Sequence, residues 1–187
     1  AAAGPGGGVP VYAPPAVSHP STLALVQTIG YEGAHGVWYD DVHGRLWVIG
    51  KGRATSYAVS GTHRSTRLTG GVNVSIGASN LGHSLDASYH NRDILLATHT
   101  TGVVAIDKAT HKVSTLHGNH AVKSFSQDAS GEYFWVQGSG KTYHGDNRDW
   151  VNPDVQFFTS SGAKSFTRGL SYGAEFYKAR LHNVNFH

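Results

Sequence analysis

The stretch that decides the fold is GAHGVWYD at residues 33–40, followed by a turn at 42–44 and by RLWVIG at residues 45–50. Each half is short and rich in β-branched and aromatic residues, and the intervening Val42-His43-Gly44 is a turn sequence. This pattern predicts two short antiparallel strands joined by a tight turn.

The same arrangement returns twice along the chain. The second copy is LGHSLD at 81–86 with ILLAT at 94–98, and the third is AVKSFSQD at 121–128 with YFWV at 133–136. A unit of short strands that recurs roughly every 40 to 50 residues is typical of a β-propeller, in which each unit forms one blade. We therefore predict an all-β fold, and more closely a partial β-propeller.

The positions at which the three copies begin predict the domain organisation. They predict blades at 33–77, 81–117 and 121–169, the last with an insertion at 139–150, and an outer strand of the first blade at either 66–68 or 72–76. Residues 1–29 read as part of a blade and 176–187 as one closing strand. Three blades and two part-blades do not close a ring of about four to eight blades. The expectation is a portion of a six- or seven-bladed ring, completed by a second chain, an N-terminal segment or self-association, with an unusual closed β-sandwich as the alternative.

Composition narrows the class of protein. The chain has 187 residues, 24 glycines, 14% charged residues and no cysteine, which fits a turn-rich β protein and excludes disulfides and thiolate sites. The formal net charge is only +3, and the sequence contains neither a Lys/Arg cluster nor a nucleic-acid motif. We therefore expect no nucleic-acid binding. The sequence also has no apolar run of about 18 residues, so we expect no membrane insertion.

Basic residues occupy the position where each repeat enters its first strand. His35, His83 and Lys123 hold that position in the three blades, and Lys178 and Arg180 follow it in the last segment. Since innermost strands surround the central channel of a propeller, these five side chains are expected to meet at the channel mouth. Such a group suits a carboxylate-bearing sugar, although each residue alone could equally bind a backbone carbonyl at the rim.

The insertion in the third blade is a second candidate site. Its aromatic and charged residues include Tyr143, Arg148 and Trp150, a combination that suits stacking on a sugar ring and bonding to its hydroxyl groups. An ordinary long hairpin with Trp150 packed on the blade is the alternative. Trp38, Trp47 and Trp135 lie in predicted strands and are expected in the core.

Cofactor and enzyme signatures are sparse. We expect no cofactor, with a divalent metal between His35 and His83 as a minor alternative that the charge of Lys123 disfavours. The sequence shows no nucleophile elbow, P-loop or dinucleotide fingerprint, and no evident pair of catalytic carboxylates.

Several of these motifs resemble a largely uncharacterised family of secreted bacterial and fungal β-propeller proteins. They are GAHGV at 33–37, GHSL at 82–85, TGVVAIDK at 101–108, VKS at 122–124 and FYKAR at 176–180. The resemblance covers residues 11–180 and implies that further blades precede the part present here. It also implies secretion to the extracellular space.

Three functional hypotheses follow. The leading one is a secreted propeller that binds a glycan at the channel mouth, with an anionic glycan as the expected ligand. The second is a polysaccharide lyase acting on a uronate-containing glycan, in which His35, His83 or a tyrosine moves the proton while Arg and Lys neutralise the carboxylate. The third is a protein-interaction scaffold.

Overall fold

The computed structural model describes residues 7–140, 149–170 and 174–182. Regular structure in these ranges consists of strands β1 to β14 and one 3-10 turn at His63–Ser65. Over the same ranges, no helix is long and apolar enough to cross a membrane. The chain divides into two compact units, residues 1–82 and 83–187.

The first unit holds a hairpin and a four-stranded meander. Their strands are β1 (Val9–Ala13), β2 (Ala24–Ile29), β3 (Gly36–Asp40), β4 (Arg45–Ile49), β5 (Arg53–Ser60) and β6 (Arg67–Ser75). The hairpin pairs β1 with β2, and the meander runs in the sequence order β3-β4-β5-β6. The predicted alternatives for its outer strand, 66–68 and 72–76, merge into the single strand β6, because Gly70 and Gly71 form a bulge opposite Tyr57 of β5 and the pairing continues on both sides of it.

Tyr31 is the centre of the apolar core in this unit. It is buried with Val9, Ala34, Val48 and Leu68. Its hydroxyl lies 3.0 Å from the carbonyl oxygen of Val48, 3.1 Å from that of Arg53 and 3.0 Å from Thr55 Oγ1. Burial raises the pKa of this phenol. The hydroxyl therefore satisfies buried polar atoms of the β4–β5 pair that water does not reach.

Replacement of Tyr31 by phenylalanine is expected to lower the free energy of unfolding by about 1–3 kcal/mol, because it removes the buried hydroxyl that bonds to β4 and β5. The measurement is urea denaturation followed by circular dichroism. Tyr39→Phe is the matched control, since Tyr39 is 51% exposed and should change stability by less than about 0.5 kcal/mol. Equal effects of the two substitutions would contradict the role assigned to the Tyr31 hydroxyl.

The second unit consists of two further four-stranded meanders. The first contains β7 (Gly82–Ala87), β8 (Ile94–His99), β9 (Gly102–Asp107) and β10 (Val113–His117); the second contains β11 (Val122–Gln127), β12 (Tyr133–Gln137), β13 (Asp154–Phe158) and β14 (Lys164–Gly169). The β9–β10 turn is fixed by the Asp107 carboxylate, which accepts hydrogen bonds from the backbone N–H groups of Ala109 and Thr110. Both sheets keep sequence order, which is the topology predicted for a blade.

An aromatic cluster joins these two sheets. Leu96 and Val103 from the first sheet pack with Phe125, Tyr133 and Trp135 from the second. The ring centroids of Trp135 and Phe158 are 4.4 Å apart, and those of Phe125 and Tyr133 are 5.1 Å apart. Trp135 is 4% exposed, and its indole N–H donates to Gln156 Oε1 at 2.7 Å. The sheets therefore pack face to face, as neighbouring propeller blades do.

Burial falls from the first strand of each sheet to the last. In β7 the first five residues are buried, whereas β10 and β14 contain no buried residue. Trp47 and Trp135 are core residues as predicted, while Trp38 is only half-buried. The last strands are thus the least protected part of each blade.

The sheets lie within the predicted blade ranges, with β1 and β2 inside 1–29, and the all-β partial-propeller class is confirmed. The closing strand predicted at 176–187 differs over its described part. There Phe176 pairs with Asn152 in an isolated bridge, and 177–182 form no regular strand. The reason is local: the Ala179 N–H donates to the Ser124 side chain at 2.9 Å rather than to a strand carbonyl.

Candidate functional site

Four of the five predicted channel-mouth residues lie together in the second unit. His83 and Lys123 are the second residues of β7 and β11, and Lys178 and Arg180 lie on the segment that follows the Phe176 bridge. We call His83, Lys123, Lys178 and Arg180 the basic cluster. The equivalent phase of the two repeats explains why His83 and Lys123 are neighbours.

The other predicted site residues have different positions. His35 is exposed in the first unit, where its backbone N–H donates to the Ile49 carbonyl at 2.9 Å. Tyr143 and Arg148 lie outside the described residues. Trp150 is described and is 43% exposed.

His83 is the contact point of both lysines. Lys123 Nζ lies 3.1 Å from His83 Nε2, and Lys178 Nζ donates to the His83 carbonyl oxygen at 2.7 Å. An ammonium group can only donate, so His83 Nε2 is the acceptor in this contact. Two ammonium groups are thereby held against one residue.

Burial and like charge act on these lysines. Burial, then the charges of Arg180 and Lys123, lower the pKa of Lys178 to about 8. Burial also lowers the pKa of Lys123, and the Asp149 carboxylate partly opposes this effect. The ammonium groups are therefore incompletely compensated, and an added anion would stabilise them.

Arg180 is anchored by a buried acid. Its Nη1 donates to the Leu85 carbonyl at 2.8 Å and lies 3.5 Å from Asp86 Oδ1. The Ser126 hydroxyl donates to Asp86 Oδ2. Burial raises the pKa of Asp86, while the bond from Ser126 and the charge of Arg180 oppose the rise. The guanidinium is thus fixed by one of its ends on β7.

Sequence reasoning missed Asp86 and Ser126 as members of the site. The available signal was an aspartate between Leu85 and Ala87 in a strand pattern, where a charge is rarely tolerated without a partner. Most other aspartates of the chain were assigned to turns, and Asp86 was not separated from them.

Comparisons with known proteins agree with this architecture. No family model and no curated protein sequence matches the chain. Among solved structures it resembles a chain of a nidogen/laminin complex, with a TM-score of 0.54, 12% sequence identity and 84% of the present chain covered. That neighbour is a β-propeller. The fold is that of a β-propeller.

The propeller is matched only in part. The chain spans 56% of the length of the nidogen/laminin-complex chain. At 12% identity the likeness extends to the fold, and the chemistry of the site has to be argued from its own residues.

Within the described residues, no group of three or more His, Asp or Glu side chains is placed to hold a metal ion. At His83 the Lys123 ammonium occupies the direction of the Nε2 lone pair. A cation at that nitrogen would meet a like charge.

Proposed function

We propose that this chain is part of a secreted β-propeller that binds an anionic carbohydrate through the basic cluster at the mouth of the central channel. The observation that carries the proposal is the convergence of Lys123 and Lys178 on His83 of β7, with Arg180 hydrogen-bonded to the Leu85 carbonyl of the same strand. A carboxylate or sulfate supplies the negative charge that these partly desolvated cations lack.

Each member has a distinct role in the proposal. Lys123 and Lys178 act as point charges, and Arg180 offers the nitrogens beyond Nη1 as donors to a planar carboxylate. Because Nη1 is already held by Leu85 and Asp86, the guanidinium loses little further freedom on binding. His35, Tyr143, Arg148 and Trp150 remain predicted ligand contacts.

Partner and location belong to the same proposal. Further blades from a second chain, an N-terminal segment or another copy would complete the ring, which agrees with a chain that spans 56% of its propeller neighbour. Membership of the secreted bacterial and fungal propeller family and an extracellular location follow from the motif resemblance described above.

The test is binding of galacturonate and of uronate oligosaccharides by calorimetry. Lys178→Met should weaken binding about tenfold, the lower value for loss of one charged hydrogen bond. Lys164→Met is the matched control, because Lys164 lies on the exposed strand β14, and it should bind as the wild type does. Unchanged affinity of the Lys178→Met variant, with its circular dichroism spectrum preserved, would contradict binding at the basic cluster.

A polysaccharide lyase is the second candidate, and the low pKa of Lys178, about 8, is what favours it. A neutral amine there could remove the proton on the carbon beside a uronate carboxylate, while the glycosidic C–O bond breaks, a C=C bond forms and an acid protonates the departing oxygen. Incubation with uronate polysaccharides should then raise ultraviolet absorbance. Binding without any such rise in absorbance would exclude the lyase hypothesis.

The third candidate is a protein-interaction scaffold. The matched neighbour was solved in a nidogen/laminin complex, which is an assembly of proteins. Absence of binding to any anionic glycan would leave the scaffold as the better hypothesis.

A further inference from the structure

A polar cleft lies at the end of β12 and the start of β13, outside the basic cluster. It has a volume of about 440 Å³ and is lined by Gln137, Gly138, Ser139, Asn152, Pro153, Asp154 and Gln156. That volume is within the range of roughly 300–1,000 Å³ found for small-molecule sites. Its wall is made of amides, a hydroxyl and one carboxylate, with no basic residue among them.

The side-chain amides of Gln137 and Gln156 each use one atom in a hydrogen bond within the protein, which leaves the other atom for a ligand. Gln137 donates through Nε2 to the His120 carbonyl at 2.8 Å, which leaves its Oε1 as an acceptor. Gln156 accepts from the Trp135 indole through Oε1 at 2.7 Å, which leaves its Nε2 as a donor. Among the described residues neither Gln side chain makes another hydrogen bond. The cleft thus presents pre-positioned donors and acceptors, which suit the hydroxyl groups of a neutral sugar.

The backbone around the cleft is closely packed. A methyl group added at Gly138 would lie 2.8 Å from the Asp149 carbonyl oxygen, so glycine permits residues 149–150 to pass directly beside the end of β12. Asn152 is fixed as well, since its Nδ2 donates to the Gln137 carbonyl at 2.8 Å and its Oδ1 accepts from the Asp154 N–H at 2.8 Å.

The cleft adjoins the basic cluster. Asn152, one of its lining residues, pairs with Phe176, and Phe176 is two residues from Lys178, a Cα separation of at most ~7 Å. Asp149, beside Gly138, is close enough to raise the pKa of Lys123. A chain of linked sugars can therefore occupy both places.

The geometry points to a second subsite: the cleft binds a neutral, hydroxyl-rich sugar unit linked to the anionic unit at the basic cluster. The inference rests on the proposed function and restricts the class of glycan that the protein binds. It assigns the ligand to glycans in which acidic and neutral sugars are joined, rather than to a homopolymer of uronate. The carboxylate of Asp154 disfavours a second acid in the cleft.

The experiment compares galacturonate with an aldobiouronic acid, a uronate joined to one neutral hexose. Wild-type protein should bind the disaccharide at least about tenfold more tightly, corresponding to roughly one added charged or two neutral hydrogen bonds. Gln137→Ala and Asp154→Asn should remove that gain and leave galacturonate affinity unchanged. Glu132→Gln is the control, since it makes the same charge change at the opposite end of β12, where Glu132 is exposed; it should keep the gain.

The outcomes separate the two proposals. Loss of galacturonate binding in Lys178→Met supports the basic cluster whatever happens at the cleft. Equal affinity of the wild type for both sugars, or a disaccharide gain that survives in Gln137→Ala and Asp154→Asn, overturns the second subsite alone. A readout independent of the basic cluster is the side-chain NH₂ resonances of Gln137 and Gln156, which should shift in NMR titrations with the disaccharide. Unshifted resonances also overturn the subsite.

Discussion

Replacement of Trp135 by alanine is expected to lower the free energy of unfolding by about 3–5 kcal/mol, the usual cost of truncating a buried tryptophan. Its ring centroid lies 4.4 Å from that of Phe158 and 5.4 Å from that of His117. The substitution opens a cavity between two sheets and removes the donor to Gln156 Oε1. Both effects lower stability, because packing and a buried hydrogen bond are lost together.

Urea denaturation followed by far-ultraviolet circular dichroism measures this loss. Trp150→Ala is the matched control, since Trp150 belongs to the same blade and is 43% exposed; its effect should stay near 0.5 kcal/mol. If the two units unfold in separate transitions, the shift should fall on the transition of 83–187. A loss for Trp135→Ala no larger than that of the control would show that the aromatic cluster does not hold the blades together.

Binding of a uronate is expected to weaken about tenfold between pH 7 and pH 10, the loss expected for one charged hydrogen bond. Lys178 has a pKa of about 8 in the free protein, so it is charged below pH 8 and neutral above it, while the ligand carboxylate stays ionised throughout. Affinity is therefore constant below the pKa and falls above it, in total by no more than the roughly tenfold loss expected for Lys178→Met. Lys123, whose pKa is also lowered, extends the fall to higher pH.

Calorimetry at fixed ionic strength isolates the effect, since salt screens the same interaction. Lys178→Arg is the informative variant, because arginine remains charged over the whole range. Its affinity should stay nearly level between pH 8 and pH 9, where that of the wild type declines. A wild-type affinity that does not change with pH would mean that the Lys178 charge takes no part in binding.

Much of the fold can be predicted from the sequence because the repeat consists of local features. Turn residues, short apolar strands and their spacing locate the four-stranded meanders without knowledge of tertiary contacts. The continuous strand β6 was less predictable. Gly70-Gly71 reads as a break, whereas in the structure these two residues form a bulge opposite Tyr57 and both halves of β6 stay paired with β5 in one ladder.

The sequence predicts which residues form the basic cluster but not which atoms they contact. The repeat phase identifies His83 and Lys123 as equivalent, and the structure brings Lys178 and Arg180 to them. What the lysines contact depends on side-chain direction, which no spacing encodes. The Asp86–Ser126 bond joins two strands that are about 40 residues apart, and the polar cleft depends on which end of each amide is already bonded.

The inward gradient of burial has a consequence for how the molecule comes apart. Strands β10 and β14, which contain no buried residue, should lose their amide protection and become accessible to proteases before β7 and β11 do. Fraying then begins at the outer margin of each blade, and the strands that carry His83 and Lys123 are the last to open. The outer strands β10 and β14 can unfold locally while the residues that would hold a ligand keep their native arrangement.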